Sequence, residues 1–368
     1  MRSEVAVIGA GTAGLLTARR LAELGVATTV YDQKKKPGFP VNASGILSIG
    51  GLNSLKIDYR KAITNELKGT ILHVGGEKMR VVSENPIAYV LDRLKLNELC
   101  MEGCEKAGVN VKTGSKIDNH ALDQFSRDRI IVGADGVVST VARHFGFPPI
   151  EKHILTYREE YNYNLFEDNS LVELFFDNKI LPGFFGWICP NAKNMAEIGV
   201  GIDSKHGNSK AAFDRFVRIE RIKDIIEEGR LIASGASMIP LALRKHFVDE
   251  KREILLVGDA AGQVKPTTGG GVIFGGNGAM LAAEVISRHI RGGAKLRDYE
   301  KGWRKEFQKE ISLHSLFYRM YSSMSRRQLE RVIRIARVTG FENFLGKYGD
   351  MDRPSRMIKR FFFRGLAR

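Results

Sequence analysis

Long apolar runs are missing from this 368-residue chain. No stretch reaches the roughly 18 consecutive apolar residues that a bilayer-spanning helix needs, so none is expected. Cysteine is scarce. Cys100, Cys104 and Cys189 are the three present, too few for a disulfide framework and in keeping with a reducing compartment. Cys100 and Cys104 stand four apart on a predicted helix and read as partly buried small apolar residues rather than a redox pair. The eight histidines have no metal-ligand spacing, so no metal site is expected. Ser139 has no His/Asp constellation that would make it a nucleophile. Repeats and low-complexity segments are absent. The opening "MRSEVAVIGAG" enters strand-like sequence at once and leaves no room for a secretory signal, so a cytoplasmic location is expected.

Acidic charge is also short. Lys and Arg number 57 against 42 Asp and Glu, a net charge of +15. From Leu296 to Arg368 there are 18 basic and 8 acidic residues, so +10 of the +15 sits in the tail and +5 in the rest. Such a tail can face nucleic acid or an anionic membrane. Hydrophobic residues make up 43%, enough for a packed core, and the length allows two domains or one with an insertion.

What is present is glycine, in particular places. "VAVIGAGTAGLLTARRLAELG" reads as a strand from Glu4 to Ile8, then Gly9-x-Gly11-x-x-Gly14, then a helix. "VATTVYDQ" follows as a second strand ending at Asp32, 18 residues after Gly14. A lone GxGxxG is a weak signal, but here the strand, the helix and the trailing acid are all in place. Gly9 allows the tight turn. Gly11 lets backbone meet a pyrophosphate at the helix N-terminus, where free amides and the dipole favour anions. Gly14 permits close helix–strand packing, Ala13 sits inside the fingerprint, and Asp32 can accept from a ribose. A second Gly-Asp-Gly turn lies in "RIIVGADGVVSTVARHFGF". A third glycine-rich segment, "VGDAAGQVKPTTGGGV", has five glycines in sixteen residues and a lone Asp259. No second GxGxxG follows a strand, so a separate nicotinamide domain is not expected and an electron donor would bind transiently.

Between His153 and Asp203 the chain alternates and is rich in β-formers: "HILTYREEYNYNLF", "SLVELFFDN", "FFGWICP", "MAEIGVGID". An antiparallel sheet is predicted there. In the tail, "RRQLERVIRIARVTG" places Leu329, Val332, Ile333 and Ala336 at helical spacing, with Gly340 as its cap. The chain ends in "RPSRMIKRFFFRGLAR", with Phe361, Phe362 and Phe363 among five arginines and Lys359. No nucleic-acid module accompanies this basic, aromatic tail, so an anionic bilayer surface is the expected partner, not nucleic acid. Peripheral membrane association goes with that reading, and a helical cap gating lipid entry is compatible with it.

The three glycine segments together resemble the large FAD-binding group that includes the aromatic hydroxylases. In that group the Asp of the third motif lies beside the ribityl and pyrophosphate of the flavin, and the following helix N-terminus meets its ring. This places Asp259, Gly271 and the amide of Val272 against FAD. "GDAAGQVKPTTGGGV", "PGFFGWICP" and "PVNASGILS" narrow the resemblance, over roughly residues 1–295, to the geranylgeranyl reductase family. That family includes digeranylgeranylglycerophospholipid reductases and uses reduced FAD on isolated C=C bonds of prenyl chains. By the same resemblance Arg93 approaches the phosphate–ribose portion of the cofactor. Ile117, in the strand that follows, lies by the adenine. Ala43 and Gly45 cradle the cofactor through backbone amides. Phe185 and Trp187 line the substrate cavity. Here Phe185 replaces the usual Tyr and Cys189 the usual Phe. Asn42 stands where the family carries a cysteine near the reactive face of the flavin, and it is held as a cofactor-binding and catalytic position of uncertain role.

The expected fold is therefore α/β. An aromatic-hydroxylase-type, Rossmann-like FAD-binding domain occupies residues 1–150 and 250–295, an antiparallel-sheet substrate domain 151–249, and a basic helical cap 296–368. Three readings of Asn42 stay open: the cysteine is dispensable, the substrate differs, or the protein carries a lipid without reducing it. The expected activity is FAD-dependent reduction of geranylgeranyl lipids, with ferredoxin or NAD(P)H as transient donor. Alternatives are a flavin monooxygenase or halogenase-like enzyme, since "GWICP" also resembles the tryptophan motif of flavin halogenases, and a non-catalytic isoprenoid carrier. No side chain stands out as the proton donor.

Overall fold

The computed structural model describes residues 5–127, 129–163, 166–192 and 194–365. Glu4, the expected strand start, lies outside them, as do the side chains from Phe363 onward. Three sheets organise the described residues. The first has six strands in the order Val248–Asp249, Ile254–Leu256, Ile130–Gly133, Val5–Ile8, Thr28–Tyr31, Asn110–Lys112. All its pairs are parallel except the Val248–Asp249 edge. Parallel sheets are covered on both faces and so read as unbroken apolar runs. Val5, Ala6, Val7, Ile131, Val132, Leu255 and Leu256 are all fully buried. The helices Thr12–Glu23 and Val272–Ile290 pack on each other over this sheet.

The second sheet has seven strands in the order Arg230–Pro240, His153–Asn162, Met195–Asp203, Gly186–Ala192, Leu171–Phe175, Gly69–Val74, Glu77–Val82. Its centre is the predicted antiparallel sheet. The hairpin Gly69–Val82 extends it, joined to Leu171–Phe175 by a parallel pair. This sheet thus reaches outside residues 151–249. The hairpin alternates Leu72, Val74, Met79 and Val81 with polar residues, and an isolated two-stranded ribbon could not bury that apolar side. One face of the sheet is covered by the helices Ser209–Phe216 and Glu220–Glu228, through Phe213, Phe216, Ile222 and Ile225. A third, small sheet (Ile46–Ser48, Ala88–Leu91, Ile63–Leu67) joins the other two.

The tail is more than an outer cap. Helix Arg297–Ser323 buries Tyr299, Trp303, Phe307 and Ile311 in the Rossmann-side core, and Trp303 Nε1 donates to the Phe274 carbonyl at 3.3 Å. Its last turns carry Tyr318 and Tyr321 to Phe184 and Phe176 of the second sheet. Helix Arg326–Val338 starts at a Ser325/Gln328 capping box and lays Leu329, Ile333 and Ala336 on Val74 and Met79. Val332, at 46% exposure, falls outside that stripe. Gly340 ends the helix at φ 66°. Helices Phe341–Tyr348 and Pro354–Gly365 complete the chain.

Candidate active site

Three remote segments meet at backbone distance. A Cβ on Gly9 would strike the Ala134 carbonyl, and one on Gly14 would strike the Gly9 carbonyl, so first strand, first helix and the 134–136 turn approach as only glycine permits. A Cβ on Gly258 would lie 2.9 Å from the Ala13 methyl, which brings the third motif onto the first helix. At Gly11 a Cβ would meet nothing within 4 Å, so this position opens onto free space. The helices that begin after Gly11 and Gly271 have no side-chain cap. Their first-turn amides are left for an anion, and the dipole reinforces them.

Arg93 and Asp259 face the same groove. Arg93, on helix Arg93–Lys106, reaches Thr12 Oγ1 at 3.5 Å, and its Nη1 is buried without a partner. Burial lowers its pKa, opposed by the nearby Asp259 charge. Burial likewise raises the Asp259 carboxyl, opposed by Arg93. An unsatisfied buried guanidinium costs free energy, and a phosphate or diphosphate would satisfy it. Asp32 accepts from the amides of Ala10 and Lys34, each at 2.7 Å, so it shapes the loop and keeps lone pairs for a ribose. Ile117 is not in a strand. It lies between Asn110–Lys112 and helix Asn119–Phe125, half-buried on the Rossmann core. The strand ends early because Ser115 N–H turns back to the Asp32 carbonyl at 2.7 Å. Asp135 serves its own turn, accepting from Ser139 Oγ at 2.6 Å and Val141 N–H at 3.0 Å.

The Asn42 loop sits against the second sheet. A Cβ on Gly235 would lie 2.5 Å from Asn42 Oδ1, and Gly45, at φ 76°, abuts the Leu91 carbonyl. Arg158 Nη2 donates to the Val41 carbonyl at 2.5 Å, while its Nη1 meets Glu197 Oε2 at 2.9 Å. The indole N–H of Trp187 donates to the other oxygen of Glu197 at 2.8 Å. One buried ion pair, 6% and 1% exposed, thus fixes both the loop carrying Asn42 and the ring of Trp187. Burial raises the Glu197 carboxyl, opposed by Arg158 and Trp187. Sequence reasoning missed this pair, although a lone Glu in the apolar strand "MAEIGVGID" was a signal, because an unpaired carboxylate there would be prohibitive.

Phe185 stacks on Phe184 at 4.2 Å and meets Trp187 edge-on at 6.2 Å. Trp187 occupies the space a Cβ on Gly199 would need. Tyr318 and Tyr321 of the tail join this aromatic cluster, a contribution the sequence did not disclose. Cys189 is fully buried beside Glu197 and Glu160, which together with burial push its thiol well above the ordinary range. Cys100 and Cys104 are buried too, their thiols pushed up to about 11 and about 12 by burial.

A second polar cluster ties the third motif to the tail. Lys265 Nζ donates to Asp352 Oδ1 at 2.7 Å and to the Met351 carbonyl at 3.1 Å, and Ser48 donates to the other Asp352 oxygen. His314 Nδ1 pairs with Thr267 Oγ1 at 2.7 Å, and Tyr321 donates to the Thr267 carbonyl at 3.0 Å. Burial, reinforced by Lys265, lowers His314 to about 4. Segment 265–271 is therefore held from the tail side as well as by its own turn.

Fold and site together define a Rossmann-type protein with the architecture of the flavin-dependent aromatic hydroxylases. Residues 7–52 match an NAD(P)-binding Rossmann-like domain, and residues 153–239 match the geranylgeranyl reductase catalytic domain. Over residues 153–239 the chain is thus similar to the geranylgeranyl reductase family. It is 28% identical to the digeranylgeranylglycerophospholipid reductase of Methanocaldococcus jannaschii, over 89% of this chain and 88% of that one. Its fold superimposes on a geranylgeranyl bacteriochlorophyll reductase-like protein from Thermoplasma acidophilum with a TM-score of 0.79 at 24% identity, covering 90% and 91% of the two chains. The flavin-dependent halogenase CmlS shares the fold more distantly, with a TM-score of 0.65 at 18% identity over 94% of this chain and 71% of that one.

Two outcomes are expected. In Glu197→Gln the buried Arg158 loses its closer counter-charge and keeps only Glu160 at 3.7 Å, and urea unfolding should register a loss approaching about 3 kcal/mol. The double variant Arg158→Met, Glu197→Gln should recover part of it, and equal losses would refute the coupling. For His314 the native state resists protonation. Stability should therefore be full above its ordinary value of 6.5 and fall as pH drops from 6.5 towards about 4. The loss attributable to this group is up to about 3 kcal/mol. His314→Gln, followed by urea unfolding at several pH values, should flatten that part of the profile.

Proposed function

We propose that this protein is an FAD-dependent reductase that saturates isolated C=C bonds of geranylgeranyl chains in archaeal-type membrane lipids. The observation that carries the reading is the shared anchoring of Trp187 and the Asn42 loop by Arg158 and Glu197, within and beside the stretch matching the catalytic domain. An apolar aromatic wall is thereby fixed next to the expected ring site. FAD, when bound, supplies the reducing electron pair. Gly9, Gly11, Ala13, Gly14 and Arg93 would hold its phosphates, Asp32 its ribose, and Ile117 its adenine end. Asp259, Gly271, Val272, Asn42, Ala43 and Gly45 would hold the remainder. The uncapped helix N-termini and the orphaned Arg93 Nη1 support that fit.

An unactivated alkene has no carbonyl to polarise, so the task of the chain is positioning and exclusion of water. Phe185 and Trp187 supply rigid apolar contact on one side, and Tyr318 and Tyr321 close the cluster from the tail. Asn42 has no acidic proton at neutral pH, so it orients water or lipid, and the proton reaches the second carbon from water. Ferredoxin or NAD(P)H serves as a transient donor.

No helix among the described residues is long and apolar enough to cross a membrane. The tail supports surface contact instead. Ile335 and Val338 are 57% and 88% exposed among Arg327, Arg331 and Arg334, and Phe361 and Phe362 are exposed beyond them.

The test is anaerobic. Protein with chemically reduced flavin, given digeranylgeranyl phospholipid in detergent, should add about 2 mass units per reduced bond while the flavin reoxidises. Unchanged lipid beside a normal flavin spectrum would overturn the reading. The same protein should co-sediment with vesicles containing anionic lipid and less so as salt rises. Equal binding to neutral vesicles would remove the basic tail from the account.

A further inference from the structure

A cavity of about 670 Å³ lies between the helix Ile49–Ser54, the hairpin Gly69–Val82, the start of helix Val272–Ile290 and tail residues 345–357. Its size falls within the roughly 300–1,000 Å³ of small-molecule sites. Ile49, Leu72, Val81, Ile273, Phe274 and Met351 give it an apolar lining. It lies on the same face of the second sheet as Trp187. Leu72 pairs across strands with Leu174, and Leu174 with Trp187, so the three side chains share one sheet face. Two strand spacings, about 10 Å, separate Leu72 from Trp187. Ile273 directly follows Val272.

The lining also contains three cations, Lys68, Arg353 and Arg356, placed where the cavity meets solvent. Lys68 is exposed, and the Arg353 and Arg356 side chains are 33% and 64% exposed. Arg353 reaches Glu306 at 2.8 Å and lies 5.4 Å over the Phe307 ring. Arg356 meets Asp350 only at 3.5 Å. Asp352, the other acid in the lining, is committed to Lys265 and Ser48. The rim therefore carries three cations against two carboxylates, Glu306 on Arg353 and Asp350 on Arg356, and Asp350 is also held by the amides of Asp352 and Arg353. An apolar slot ending at a solvated cationic rim suits an amphiphile with an anionic end, because guanidinium groups recognise phosphate oxygens in fixed geometry.

We propose that this cavity takes the polar-end portion of the lipid, and that Arg353 and Arg356, with Lys68, select a prenyl substrate bearing a phosphate-class headgroup. The inference rests on the reductase reading and adds specificity for the polar end of the lipid. The test uses the full chain with reduced flavin and two substrates differing only at that end, geranylgeranyl phosphate and geranylgeraniol. In the Arg353→Gln, Arg356→Gln variant, the ratio of kcat/KM for the phosphate to that for the alcohol should fall at least about tenfold, or 1.4 kcal/mol. Arg353→Lys, Arg356→Lys keeps the charge and should retain most of the ratio, which separates recognition from damage to the fold. Leu72→Trp, which fills the slot, should raise KM for both substrates. An unchanged ratio in the Gln variant would overturn the proposal. If the wild type reduces neither substrate, the reductase reading is judged by the digeranylgeranyl phospholipid assay alone. Equilibrium binding of geranylgeranyl phosphate, followed by tryptophan fluorescence, then decides the site: weakened binding in the Gln variant sustains it, and unchanged binding overturns it.

Discussion

Backbone contact without side chains is the constraint on which the rest depends. The approaches of Gly9 to Ala134, Gly14 to Gly9 and Gly258 to Ala13 draw residues 9–14, 134–136 and 258–272 around one groove. Each added methyl would have to be accommodated against backbone or a helix methyl in a core packed at crystal-like density, where little can give. Once those contacts are made, two uncapped helix ends, Arg93 and Asp259 necessarily share a space. The groove follows from how closely the chain packs, and its electrostatics follow from the groove.

Two buried ion pairs extend this order outward. Arg158–Glu197 links the Asn42 loop to the aromatic wall, and Lys265–Asp352 links the third glycine segment to the tail. Neither is a strong argument for stability, since desolvation offsets much of the attraction. Their value lies in direction. Arg158, Glu197 and Asp352 each form hydrogen bonds to two different segments, so geometry at one is transmitted to the other. Asn42 in place of a thiol does not disturb this frame, because the loop is anchored through the carbonyl of Val41 rather than through a side chain.

What could be read in advance was local. The strand–glycine–helix order of the fingerprint, the strand running up to Asp32, the centre of the second sheet and the helix ending at Gly340 are carried by spacings of a few residues, and these elements form as expected. What could not be read was non-local. Nothing within "GTILHV" says that it will pair in parallel with Leu171–Phe175. Arg158 looks like the solvated side of a strand until Met195–Asp203 lies beside it. Tyr318, Tyr321 and Asp352 belong to a tail whose composition advertises charge, yet the two tyrosines reach the interior on the long helix, and Asp352 does so where the segment before the last helix meets Lys265 and Ser48. Ile117 fell outside its expected strand for a small reason, one amide turned towards Asp32.

The parallel pair between Gly69–Val74 and Leu171–Phe175 also sets an order of events. Thr70 and its hydroxyl's acceptor, the Val172 carbonyl, are 102 residues apart. Contacts of that span close slowly, since loop entropy must be overcome before they form. During synthesis the hairpin emerges first, with one edge unpaired and Val74 and Met79 bare. The edge must wait for residue 171, and the bare face for Leu329 and Ile333. The chain therefore spends much of its own translation with an open strand edge, the state in which unfinished sheets aggregate. Lys78 and Arg80, exposed on the opposite strand, keep the other edge of the hairpin charged, and that edge stays open in the finished sheet.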